Sequence, residues 1–544
     1  MKWSEIERAR RILTKEHGTI VKDWGGKLTV ALIYPNTYEV GMSSLGFQTI
    51  YRLFNDHPHV VCERAFWQPR FAPDEPVIAI ESQHSIADLD VLAFSVAFEL
   101  DYLHLIQILR QAGIPLDAAE RDADWPLIVA GGPAVSANPL PLADFVDAFV
   151  IGEAEELIVP LVETIQQGID KPRADLWRAL ALLPGVYVPH LDANTPVQRQ
   201  WVRELENHPT ATVIHTPDTA FGPMHLIEVA RGCGRGCRFC MAGFTSRPKR
   251  EHSVASVLQQ AQTGLAYADR IGLVGAAVSD YAPIDELVIR LREMGAKISV
   301  SSLRVDPLSE PLLQALVESG AQTLTLAPEA GSERLRALIN KGVTEADLLY
   351  AAGRAAHHRF RQLKLYFMIG LPGETDEDID AIAWLCEQTA QKFTGHITAN
   401  VTPFVPKAHT PFQWTSMTPT DQLDERLARL QRALKKKKID LRSESPRMAT
   451  IQGLLARGDR RLGQVLKTVR GTSTRDWEKA MQRCEVEPED YMTWNEDKPL
   501  PWSFIDTGVK TAYLRREWMR ALKTSPTEPC PPLPCERCGV CTKK

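Results

Sequence analysis

Cys233, Cys237 and Cys240 lie in the run RGCGRGCRFC, residues 231–240, with the spacing C-x3-C-x2-C. A cubane iron–sulfur cluster takes four thiolates. Three close cysteines without a near fourth leave one iron open to a small chelating molecule. Zinc is the plain alternative, but zinc sites close at four ligands, usually in paired C-x2-C or Cys/His sets. His225 and His252 are near in sequence, and neither has ligand spacing. Gly232, Gly234 and Gly236 let the loop bend around a cluster and turn amides toward its sulfurs.

A second set, Cys530, Cys535, Cys538 and Cys541, ends the chain with the spacing C-x4-C-x2-C-x2-C. Four thiolates saturate either a structural zinc or a second [4Fe–4S] cluster. A cluster would relay electrons to the first. Zinc would pin a Pro-rich lead-in, residues 526–534, that otherwise predicts disorder. The tail is also placed to fold back over the barrel mouth. Cys62, Cys386 and Cys484 read as plain buried thiols.

The elements that position these cysteines form two alternating series. In residues 28–170, apolar runs at 28–34, 60–66, 91–98, 127–130 and 145–151 read as strands, with helices at 44–54, 101–111 and 153–167. Uninterrupted apolar strands between helices imply a parallel sheet covered on both faces, with ligands at the strands' carboxyl ends. The loops there supply Asn36, Gly41, Ser44, Ser95, Gly131, Gly132 and Glu153. Residues 1–27 read as a charged amphipathic helix and 171–222 as a connector with short strands near Val186 and Trp201. A second series, 223–412, predicts six strands at 225–229, 271–278, 298–302, 323–326, 363–368 and 396–401. Six β/α units make a partial barrel with reactive groups at the strand ends. Residues 413–529 read as a helical region and 530–544 as a Cys-rich metal-binding tail. The fold class is therefore α/β: a doubly wound Rossmann-like domain, a partial (β/α)6 barrel and a small extension.

The cysteine run, with Phe239 before its last cysteine, resembles the signature of the radical S-adenosylmethionine (radical SAM) enzymes. VSDY (278–281), SSLR (301–304), PEAGS (328–332) and MIGLPGE (368–374) follow successive strands in the family's order. The resemblance implies SAM contacts from Phe239, Ser279, Asp280, Ser301, Arg304, Glu329 and Gly370. In VSDY the match to the family's Gly-Gly-Glu-like segment is loose. The first domain resembles the cobalamin-binding module of B12-dependent radical SAM enzymes, which implies corrinoid contacts from Asn36, Gly41, Ser44, Ser95, Gly131, Gly132 and Glu153. The chain lacks the Asp-x-His-x-x-Gly run whose histidine ligates cobalt in many B12 domains, so cobalamin is expected without a histidine ligand. The GxGxxG dinucleotide fingerprint is also absent. RGCGRGCRFCMAGF (231–244), APEAGSERL (327–335) and TPFVPKAHTPF (402–412) are similar to an uncharacterised group of B12-binding-domain radical SAM proteins with a C-terminal Cys cluster.

The resemblance implies a cobalamin-dependent methyltransferase acting on an unactivated carbon. SAM would serve twice, as methyl source and as source of a 5′-deoxyadenosyl radical. Radical rearrangement, cyclisation or sulfur insertion, including on RNA, is the alternative; a non-catalytic metal-binding RNA module is the rival from another class. A single-electron reductant such as flavodoxin or ferredoxin is the expected partner. The formal net charge of −5 gives no global case for nucleic-acid binding. The basic stretch Arg426, Arg429, Arg432 and Lys435 to Lys438 leaves an RNA contact as a minor expectation. Hydrophobic content of 44% with no 18-residue apolar run predicts a soluble, cytoplasmic protein with no membrane span.

Overall fold

A computed structural model describes residues 3–69, 76–191, 196–494, 498–531 and 535–542. Its first sheet comes from the apolar runs: β1 (Leu28–Tyr34), β2 (Val60–Phe66), β3 (Val91–Ser95), β4 (Leu127–Gly131), β5 (Ala148–Val150) and β6 (Val186–Tyr187). The order is 2-1-3-4-5-6, parallel except for antiparallel β6. Strand order reverses between β1 and β3, the place where doubly wound sheets open a crevice beyond their carboxyl ends.

Both faces of this sheet are buried. Helices Leu45–Asp56, Ile158–Gly168 and Arg173–Ala181 cover one face. Helix Asp101–Gln111 covers the other, joined by Pro446–Arg457, Leu462–Thr468 and Thr474–Arg483 from far along the chain. Leu454, Val465 and Trp477 are among the side chains those helices bury, each contributing about 1.5–3 kcal/mol.

After β7 (Val197–Gln198) come β8 (His225–Arg231), β9 (Arg250–Glu251), β10 (Arg270–Gly275), β11 (Lys297–Val300), β12 (Thr323–Glu329), β13 (Gln362–Ile369), β14 (His396–Pro403) and β15 (Asp440–Ser443). Strands 8, 10 and 11 run parallel, with β9 antiparallel on β8. Strands 12 to 15 run parallel in sequence order. A parallel bridge between Leu303 and Leu326 joins the two halves into one open barrel wall. The wall has a seventh strand, β15, beyond the six expected. The expected strand 271–278 stops at Gly275, because the register slips between Val274 and Gly275 and residues 278–280 turn as a 3-10 helix.

The stretch 413–529 does not form a body of its own. Helix Thr420–Lys436 buries Leu423, Leu430 and Leu434 in the barrel core. Residues 446–492 cover the first sheet, and β16 (Ile505–Asp506) pairs in parallel with β7. Among the described residues no helix is long and apolar enough to cross a membrane.

Candidate active site

The cysteine loop leaves the carboxyl end of β8. Gly232 opens it with φ +77°, and a Cβ there would fall 2.2 Å from the Ser246 carbonyl oxygen, so this position requires glycine. The Cys240 amide donates to the Cys237 carbonyl at 3.1 Å. The Arg235 amide donates to Cys233 Sγ at 3.4 Å. Burial pushes the Cys233 thiol up and Cys240 to about 12, and the neighbouring sulfurs add to the rise. Amides of Gly243 and Ala242 aimed at Cys240 pull the other way. Crowded, buried sulfurs with N–H donors aimed at them suit a cationic metal core, which deprotonates its thiols outright. The donor set fits a cubane cluster.

Charged groups gather beside the loop. Arg235 pairs with both carboxylate oxygens of Asp280, at 2.9 and 2.7 Å. Ser279 Oγ accepts from the Arg304 amide at 3.1 Å, and buried Arg304 donates to the Lys341 carbonyl at 3.0 Å. Lys341 Nζ stands 3.0 Å from Glu329 Oε1. Glu329 ends β12 with φ +69°, next to a register shift. A non-glycine residue in that conformation costs on the order of 1–3 kcal/mol, and such strain collects at functional sites. Ser279, Asp280, Arg304 and Glu329 thus come together at the rim. Phe239 packs with Met368 and Trp518 against the Leu335–Leu338–Phe404 cluster. Ser301 lies exposed past β11. Gly370 has φ +85°, and its amide donates to Glu374 Oε1 at 2.7 Å. A Cβ on Gly370 would sit 2.9 Å from Leu423 and 3.2 Å from Thr418, so its turn faces the Thr420–Lys436 helix.

A cavity of about 530 Å³ opens at the carboxyl edge of the first sheet, within the range for cofactor sites. Leu32, Ala93, Val129 and Val150 form an apolar floor with Phe54, Ile158 and Leu161. Ser44, Ser95, Gly131, Gly132 and Glu153 line it, as do Glu228, Arg231, Thr245 and Ser246 from the barrel side. An apolar slot with a polar rim fits a bulky amphiphilic cofactor such as a corrinoid. Two of the residues expected there lie elsewhere. Asn36 donates to Asp101 Oδ1 at 2.8 Å. Gly41 packs so that a Cβ would strike the Phe66 ring at 2.5 Å. Gly132, with φ +109°, is needed for close approach to Val96, whose carbonyl would lie 2.5 Å from a Cβ.

Glu153 lines the cavity but is already occupied. It accepts from Arg250 at 2.7 Å, Arg231 at 3.0 Å and the Val202 amide at 2.9 Å. Burial raises its pKa, but hydrogen bonds from Arg250 and the charges of Arg231 and Arg250 outweigh that and hold it at about 2. Arg231 also bonds Glu155 and Glu228. Sequence reading missed Arg231 and Arg250; the one local signal is an arginine two residues before the first ligand.

Cys530 is docked on the cysteine loop. The Cys530 amide donates to the Gly234 carbonyl at 2.7 Å. Cys538 and Val540 are buried with Phe244, Trp414 and Tyr513. The Pro-rich lead-in is held rather than loose over residues 526–531: Asn340 Oδ1 accepts from the Thr527 amide at 2.8 Å, and its Nδ2 donates to the Gly236 carbonyl at 3.1 Å. Residues 532–534 lie outside the described residues. On the basic helix, Arg429 pairs with Asp376 and Asp380, Arg426 with Glu374 and Lys437 with Glu387.

Two family models match the chain. Residues 46–189 match the model "Radical SAM proteins, N-terminal", and residues 227–385 match "Radical SAM superfamily". An uncharacterised protein of Methanocaldococcus jannaschii is 31% identical over 444 residues, covering 80% of this chain and 90% of the relative. A tRNA-2-methylthio-N(6)-dimethylallyladenosine synthase of Methylococcus capsulatus is 27% identical over 233 residues, 39% of this chain and 49% of that enzyme. Among solved structures, the cobalamin-dependent S-adenosylmethionine radical enzyme OxsB with aqua-cobalamin bound aligns at TM-score 0.48 and 16% identity, over 66% of this chain and 52% of that one.

Proposed function

Since the chain belongs to the radical SAM superfamily, we propose that this radical SAM enzyme is corrinoid-dependent and methylates an unactivated carbon. A cubane bound by the cysteine trio supplies one-electron cleavage of SAM, and a corrinoid in the neighbouring cavity supplies a transferable methyl group. Cys233, Cys237 and Cys240 hold the cluster. Asp280, Arg304 and Glu329 offer charge for SAM's amino group, carboxylate and ribose. The apolar floor at Leu32, Ala93 and Val129 excludes water from the second cofactor.

One observation carries the reading: Arg231 lines the cavity and sits two residues before Cys233. The two cofactors would share one wall, and radical and methyl donor must meet at short range. A flavodoxin- or ferredoxin-type donor supplies the electron in this proposal.

The test is anaerobic protein reconstituted with iron and sulfide, then given hydroxocobalamin, SAM and dithionite. The expected result is a bound corrinoid spectrum, with 5′-deoxyadenosine and S-adenosylhomocysteine both formed when substrate is present. Failure to retain corrinoid overturns the cobalamin assignment. A second reading, sulfur insertion, draws support from the relative whose name is a methylthio-forming tRNA synthase. A product gaining sulfur rather than a lone methyl decides for it, and tRNA is the first substrate to try.

A further inference from the structure

The 530–541 cysteines are the cluster of chemistry-bearing side chains that the proposed reaction leaves unused. Cys535 and Cys538 are buried, and Cys530 and Cys541 are half-buried. Cys530 feels the charge of Cys535 and Cys538, and Cys541 that of Cys530, Cys535 and Cys538, while Cys538 is buried with Tyr513 and with Phe244 from the cysteine-loop side. Cys530 is also on the rim of the cleft lined by Arg235, Ser279 and Asp280.

The segment's attachment is specific. The Cys530 amide bonds the carbonyl of Gly234, the residue after Cys233. One peptide unit and one hydrogen bond therefore separate a ligand of the first set from a residue of the second. Arg238 is buried between the two, donating to the Ser525 carbonyl at 2.6 Å and to the Leu338 carbonyl at 2.8 Å. Arg247 supplies an independent pointer. It is 3% exposed, and its Nη1 has no hydrogen-bond partner among the described residues. The guanidinium lies 4.7 Å from the Phe244 ring and 5.4 Å from the Tyr513 ring, where it feels the Cys530 and Cys538 sulfurs. A buried cation with an unpaired N–H near Cys530 and Cys538 is matched by an anionic centre carrying sulfur acceptors.

We infer that Cys530, Cys535, Cys538 and Cys541 bind a second [4Fe–4S] cluster, close enough to exchange an electron with the one at Cys233, Cys237 and Cys240. Among the described residues no three ligating side chains close on a single ion, and this is as true of the first trio as of the tail. A cubane puts each thiolate on a different iron, so it asks for a wider spread than zinc. One electron enters the second cluster from a low-potential single-electron donor and passes on to the first; no bond forms and no proton moves. The site rests on the radical SAM reading only for its partner cluster.

Three proteins made anaerobically test this: wild type, Cys535→Ser/Cys538→Ser, and Cys233→Ser/Cys237→Ser/Cys240→Ser. Iron, sulfide and zinc are counted, and EPR is recorded after dithionite. The expected counts are about eight irons per chain in wild type and about four in each variant. The wild-type EPR signal shows magnetic coupling that both variants lose. Stoichiometric zinc that disappears only from the Cys535/Cys538 variant, with about four irons in wild type, overturns the inference. So does a triple variant without iron. A triple variant with all the wild-type iron would instead remove the first cluster, a separate failure. Because the triple variant keeps the tail intact, misfolding of the tail variant does not blunt the test.

Discussion

Arg231 Nη1 lies 3.0 Å from Glu153 Oε2, and Nη1 and Nη2 of the same guanidinium hold Glu155 and Glu228. This contact joins the end of the first sheet to the strand that launches the cysteine loop. Arg250 completes it from β9. The two candidate cofactor sites are held in register by a largely buried ion cluster, its members retaining some exposure, rather than by a linker. Removing one partner of such a cluster leaves an uncompensated charge.

Glu153→Gln is therefore expected to destabilise the protein by about 3 kcal/mol and to loosen the cavity. The pH dependence has a definite sign. Glu153 is held at about 2 against an ordinary glutamate value of 4.5. Its stabilisation is complete above about 4.5 and is lost as pH falls toward 2. Thermal unfolding of both proteins at pH 7 and in this acid window checks it: the gap between them should close as pH falls. A constant gap rejects the ion cluster as its source.

Cys237→Ala is expected to lose the first cluster and all 5′-deoxyadenosine formation, a fall of at least about 10³-fold, comparable to the loss of a general acid–base group. Cys237 is 8% exposed, so a control is needed. Circular dichroism should remain native. Continued SAM cleavage by this variant would remove the trio from the mechanism.

Ala97 lines the cavity yet is exposed, so its side chain can grow without overpacking the core. Ala97→Trp is expected to weaken corrinoid retention at least about tenfold, equivalent to about 1.4 kcal/mol, and to leave the iron count unchanged. Visible absorbance after gel filtration reads both. Unchanged corrinoid retention places the cofactor elsewhere.

His409 Nε2 lies 3.1 Å from the Ala137 carbonyl, again across the two halves. Burial, helped by the charge of Arg199, holds its pKa at about 4. Burial and a neighbouring histidine hold His215 and His225 at about 4 as well. The unfolded chain takes up these protons first, so stability falls as pH drops from about 6.5 to about 4. His409→Gln should flatten that slope by up to about 3 kcal/mol. Denaturation midpoints across this range measure it.

β1 and β2 begin and end where the sequence reading places them, because both strands are buried on both faces; in β2 the charged pair Glu63 and Arg64 is buried too, Glu63 held by Trp24 and Arg64 by Glu16 and Glu81. The apolar run 145–151 is longer than β5, since Phe145 and Val146 are buried in a turn before the ladder begins. Apolar character reports burial, and burial is not always a strand. The trio and its glycine loop were legible because ligand spacing is local. The Arg231–Glu153–Arg250 cluster was not, since its members are 78 and 97 residues apart in chain. Gly41 looked like a ligand-facing glycine and instead makes room for Phe66, a distinction that only packing reveals.

The helices over residues 446–483 have a bearing on how the protein is made. They roof a face of the first sheet that was translated long before them. At about 5–20 residues per second, the roughly 340 residues between Val150 and Val486 take on the order of 20–70 s to emerge from a ribosome. During that interval helix Asp101–Gln111 is the chain's own cover on that side, and the surface later roofed by Leu454, Val465 and Trp477 waits for its distant lid.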